Sequence, residues 1–96
     1  MVQKEEVVSI LKQVFDPEIG LDIWTLGLVY NIDLQETSAH IKMTFTTPMC
    51  PYGPMLVSDI ERRMELLMGK GNTKIEIVFD PPWKPSDEVK ALLGVL

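Results

Sequence analysis

A chain of 96 residues with 46% hydrophobic and 24% charged side chains has the balance of one small folded domain, 1–96, with a single modest core, and not that of a disordered segment. Its formal net charge of −5 opposes a nucleic-acid partner, which needs clustered Lys and Arg, and no apolar run is long enough to span a membrane, so no membrane partner is expected either. The start, MVQKEEVV, is not a basic region followed by an apolar one, and one cysteine cannot form an internal disulfide, so a reducing, cytoplasmic setting is expected.

Residues 4–15, KEEVVSILKQVF, set Val7, Leu11 and Val14 on one stripe, with Val8, Ile10 and Phe15 beside it, which predicts an amphipathic helix ending near Phe15 before Pro17. DPEIGLDIWTLG (16–27) has no clean period and reads as an irregular lobe with three carboxylates. Residues 28–34 and 39–46 alternate across the turn QETS. They predict an antiparallel hairpin with Leu28, Tyr30, Ile32, Leu34, Ala39, Ile41, Met43 and Phe45 on its apolar face, and His40, Lys42, Thr44 and Thr46 on the other. MLVSDIERRMELLM (55–68) predicts a second helix, capped by Gly53, with Leu56, Val57, Ile60, Met64 and Leu67 buried and Asp59 paired to Arg63. TKIEIVF (73–79) predicts a third strand with Ile75, Ile77 and Phe79 inward. After the stiff loop DPPWKP, SDEVKALLGVL predicts a short helix capped by Ser86.

Three one-faced strands and three helices in the order α-β-β-α-β-α predict a two-layer α/β (α+β) domain. Its helices cover one face of a three-stranded mixed sheet, and a right-handed crossover makes the last two strands parallel.

The only cysteine, Cys50, lies in TPMCPYGPM (47–55), hemmed by Pro48, Pro51 and Pro54, between the end of a strand and the start of a helix. That edge of an α/β sheet is where ligands sit, and free amides near a helix start favour a thiolate. Thr46 and Thr47 lead into the loop and can hydrogen-bond a sulfur or a ligand. Free cysteine is also a common core residue, so a buried, inert Cys50 stands as the alternative. Asp16, Glu18 and Asp22 are a second candidate, as metal ligands or simply as solvated loop acids. His40 falls on the polar sheet face. One Cys and one His cannot close a zinc site, and no glycine-rich phosphate loop follows a strand, so no nucleotide is expected.

Taken together, DPEIGLDIWTLGLVYNI, MTFTTPMCPYGPMLVSDIE and IVFDPPWKP, in this order, resemble the domain family of SufT and PaaD proteins, which includes the eukaryotic MIP-type cytosolic iron–sulfur assembly factors. The resemblance covers roughly residues 5 to 94. It implies a fold similar to the C-terminal domain of NifU-type scaffolds and a role in maturing or delivering iron–sulfur clusters. It matches the family's cysteine to Cys50, its acidic pair to Asp16 and Glu18, its double threonine to Thr46 and Thr47, and its DPPW to Asp80 through Trp83. Thr25 and Tyr52 depart from the residues that many relatives carry there. A cysteine-rich tail, associated with PaaD-like members, is lacking.

The leading expectation is therefore a non-enzymatic accessory factor whose Cys50 is a transient ligand for iron or an iron–sulfur cluster. Iron–sulfur client proteins or an assembly scaffold are its expected partners. A different reading is an interaction adaptor with a structural Cys50. A third is a PaaD-like oxygenase-system accessory, or a thiol enzyme using His40 as base, although His40 stands six strand residues, roughly 20 Å, from Thr46. The contact surface, for clients or a weak homodimer, is expected near Trp24, Tyr52 and Trp83, because aromatic side chains anchor interfaces.

Overall fold

The computed structural model describes residues 2–47 and 51–94, the side chain of residue 93 excepted. Six elements follow one another: α1 (Lys4–Leu11), β1 (Val29–Leu34), β2 (Ala39–Met43), α2 (Gly53–Met68), β3 (Thr73–Ile77) and α3 (Asp87–Leu93). The sheet order is β1-β2-β3, with β2 antiparallel to β1 and parallel to β3, which is the predicted mixed sheet.

In α1, Val7 and Leu11 are fully buried one turn apart, and the Glu6 carboxylate accepts the Gln3 backbone N–H at 3.0 Å to cap the first turn. The helix stops at Leu11, four residues short of the predicted end. Tight i,i+3 bonds, Gln13 N–H to Ile10 and Val14 N–H to Leu11, close its last turn. The chain then pairs backward on itself: Ile23 N–H donates to the Val14 carbonyl at 2.9 Å and Asp16 N–H to that of Leu21 at 3.0 Å. Val14 still enters the core, but Phe15, expected beside the helical stripe, is turned out and 53% exposed. The lobe that follows buries Ile23, Leu26 and Leu28 completely.

Across the sheet, Ile32, Ile41 and Ile75 stand in register. A bulge between Val29 and Asn31 inserts Tyr30 as an extra residue. It shifts the alternation, so Val29, opposite Met43, packs on the core, whereas Tyr30 leaves the apolar face where it was predicted and donates its hydroxyl to the Pro81 carbonyl at 2.9 Å. β2 ends three residues earlier than predicted. Thr44, placed by alternation on the polar face, is 1% exposed, its N–H bonded to Leu28 and its hydroxyl turned to the Phe45 carbonyl. Phe79 lies beyond β3, 45% exposed, and tilts against Phe45 with ring centroids 6.3 Å apart.

Leu56, Ile60 and Met64 of α2 face the core, α2 packs on β3, and α1 packs on α2. α2 starts two residues before the predicted position, with Tyr52 rather than Gly53 as its cap. Gly53 is instead the first helical residue, pressed so closely on the Phe45 ring that a Cβ there would stand 2.7 Å from it. Ser86 caps α3 as predicted, accepting the Val89 N–H at 3.2 Å, and Val89 joins the core. The opposite sheet face is polar: Lys42 and Lys74 are exposed, and His40 Nε2 meets Glu76 Oε1 at 2.9 Å.

Candidate functional site

The acidic turn is built by its own backbone. Asp16 is 2% exposed, and its Oδ1 accepts the N–H groups of Glu18, at 2.9 Å, and Ile19, at 3.1 Å. Gly20, at φ +83°, closes the turn by donating to the Asp16 carbonyl at 2.7 Å. Glu18 points to solvent. Asp22 repeats the device one turn on, accepting the Thr25 N–H at 2.9 Å. The carboxylates of Asp16 and Asp22 thus order the lobe as well as charging it.

Thr46 is half-buried and Thr47 exposed. Cys50, with Pro48 and Met49, lies outside the described residues. Among the described residues no three His, Asp or Glu side chains gather as a metal site would need.

The lobe and the start of α2 meet through their flanking residues. Phe15, next to Asp16, and Met55, in the first turn of α2, line one open groove of about 300 Å³ with Leu56, Ser58, Asp59 and Arg62. At the helix start itself, Tyr52 is 38% exposed and Gly53 abuts the Phe45 ring, which tilts against Phe79. The N-terminal end of α2 therefore rises from a rim of exposed apolar side chains: Phe15, Tyr52, Met55 and Phe79.

Of the aromatic anchors expected from the sequence, Tyr52 belongs to this rim. Trp24 and Trp83 are half-buried against the core, and Trp83 Nε1–H donates to the Leu26 carbonyl at 2.6 Å, fixing the 80–85 loop to the lobe. His40 stands at the start of β2, whereas Thr46 and Thr47 follow its far end.

Phe15, Met55 and Phe79 were not singled out as surface residues by sequence reasoning. Met55 carried a usable signal, because it falls off the Leu56–Ile60–Met64 stripe at helical spacing. Phe15 and Phe79 carried none, because each continues the apolar pattern of an element that ends just before it.

The family described as iron-sulfur cluster assembly protein matches residues 4–77. A Bacillus subtilis protein named Fe-S protein maturation auxiliary factor YitW is 41% identical over 96 residues, covering 96% of this chain and 94% of that protein. A Staphylococcus aureus protein named Fe-S protein maturation auxiliary factor SufT is 35% identical over 86 residues, covering 85% of this chain and 98% of that one. Among solved structures, a conserved hypothetical protein from Thermotoga maritima superposes with a TM-score of 0.83 at 44% identity, over 98% of this chain and 96% of that one.

Proposed function

This chain belongs to the iron–sulfur cluster assembly protein family, and from that membership we propose that it is an accessory factor that helps assemble iron–sulfur clusters or deliver them to client proteins. The observation that carries this reading is the end-to-end match to the Bacillus subtilis maturation factor. The match spans nearly all of both chains, so the role that name describes would be carried by this one domain.

The cluster is cargo rather than a resident cofactor. The sequence has one cysteine, and a cluster normally takes four thiolates. Cys50 is therefore a transient ligand for iron, for a cluster or for a client's thiol, with the remaining ligands coming from client or scaffold. Asp16, Glu18, Thr46 and Thr47 support it. Asp16 is nearly sealed and holds the turn, so the exposed Glu18 carboxylate is the one that would meet a passing ion. Clients or an assembly scaffold are gripped at the apolar rim, by Tyr52 together with Phe15, Met55 and Phe79, with Trp24 and Trp83 beside the lobe. The protein is not an enzyme in this reading, and its setting is the cytoplasm.

The exposed rim also favours a second reading, an adaptor that holds clients while Cys50 serves only packing. Anaerobic incubation with ferrous iron and sulfide, followed by absorbance and iron counting, separates the two. Labile iron or cluster that is lost in Cys50→Ser supports the first reading. Identical behaviour of the two proteins supports the adaptor.

A further inference from the structure

α2 carries a second stripe that the core does not use. Met55, Asp59, Arg62 and Leu66 recur at steps of four, three and four residues, so they line one side of the helix. Met55 is 49% and Leu66 88% exposed. Between them, Arg62 donates to the Asp59 carboxylate at 2.8 Å with its own side chain largely in water.

Taken antiparallel, this stripe is its own complement. A two-fold axis between Ile60 and Glu61 sets Met55 opposite Leu66 of a second copy and Asp59 opposite Arg62 of that copy, and each pairing occurs twice. The relief agrees. Leu66 protrudes, and the position facing it in a second copy is the groove beside Met55 and Phe15. A second hollow of about 280 Å³, lined by Ile10, Gln13, Arg63 and Leu67, flanks Leu66 itself and faces Met55 of the other copy.

We propose that this α2 stripe is an isologous homodimer interface in which the two α2 helices pack antiparallel. A second copy is the occupant because the opposite charges fall at positions related by the two-fold, with apolar residues at both ends. Arg62 is 72% exposed, so its bond to Asp59 is worth little and exchanges across the axis at little cost, while Asp59, 24% exposed, stays held by Arg63 Nε at 3.0 Å. The neighbouring strip of α2 bears Glu61 and Glu65, and each chain carries a charge of −5, so contact is confined to the stripe. An interface of one helix face and its flanking hollows is at the small end of the range, and the dimer is weak and concentration-dependent.

The arrangement has a consequence for function. Gly53 faces Met68 of the second copy, which separates the two α2 N-termini by about 22 Å along the helix direction. The dimer would then cover Met55 and the Phe15 groove of both rims and leave Tyr52 and Phe79 free on two separate ends, so a client that grips the whole rim competes with the second copy.

Sedimentation velocity of the full chain, from about 10 µM to about 1 mM, tests this. The expected result is a monomer–dimer shift for the wild type. Asp59→Arg and Arg62→Asp should each weaken association by about tenfold or more, because like charges then oppose twice. An equimolar mixture of the two variants should recover it, because a chain with two cations on its stripe then meets a chain with two carboxylates. Leu66→Glu, at the most exposed position, is a second disruptor that leaves the fold intact. A wild type that stays monomeric to about 1 mM, charge variants or Leu66→Glu that associate like the wild type, or a mixture that stays monomeric would each overturn the proposal.

Discussion

Asp16 shows how a residue can look like a ligand and act as a scaffold. Its carboxylate accepts two backbone N–H groups while nearly sealed from water, and hydrogen bonds to a charged acceptor contribute about 1.5–3 kcal/mol each. Asp16→Ala should therefore destabilise the domain by about 2 kcal/mol in urea unfolding, and Asp16→Asn by clearly less, because the amide oxygen still accepts. Equal loss in both would mean that the negative charge, rather than the turn, is what the fold requires. Gly53 makes a different point. Its Cβ position is filled by the Phe45 ring, so Gly53→Ala should cost about 1–3 kcal/mol by overpacking, and Phe45→Leu should recover part of that in the double variant. Strictly additive losses would show that the ring is not the obstacle. The sequence marked the carboxyl group of Asp16 by its place in an aperiodic acidic lobe. Its backbone partners were not legible, because they arise from a turn set by Gly20 and by pairing with Leu21.

The elements were legible where a pattern repeats several times and misjudged where it ends. Val7, Leu11, Ile60 and Met64 sit where helical spacing put them, and Ile32, Ile41 and Ile75 where alternation did. Periodicity says which face is buried, but an apolar residue just past an element continues the pattern without sharing the geometry. Phe15 and Phe79 are both of this kind, one released by the backward pairing of residues 14–16, the other by the end of β3. Tyr30 was displaced by a bulge, which changes the alternation by one residue and has no composition of its own. Phe15→Ser should thus change stability by no more than about 0.5 kcal/mol, whereas Leu11→Ala, four residues earlier on the buried stripe, should cost about 2–5 kcal/mol. Thermal melts of the two variants side by side check this, and a large loss in Phe15→Ser would return that residue to the core.

At the scale of the molecule, the sheet has one solvated face, where His40 and Glu76 pair, and one covered face, and the proposed function rests on the loops at the end of β2 and the start of α2. Among the described residues, Thr46 and Thr47 follow the end of β2, a rim of exposed apolar side chains stands at the start of α2, and the ordered acidic turn lies next to Phe15 of that rim. The family was legible from three motifs in order. Of the rim, Tyr52 was legible as an aromatic contact residue and Met55 by falling off the buried stripe, but Phe15 and Phe79 were not, because their exposure depends on where elements stop. If the domain hands iron or clusters to clients through Cys50, then the thiol is required for transfer and dispensable for folding. The most direct measurement is the rate at which a cluster-loaded scaffold activates an apo client enzyme under anaerobic conditions, compared for wild type, Cys50→Ser and no added protein, with the melting curve of the variant alongside. The account predicts acceleration by the wild type, a rate near the no-protein baseline for Cys50→Ser, and a variant fold weakened by no more than about 1 kcal/mol. Equal acceleration by wild type and Cys50→Ser would contradict it.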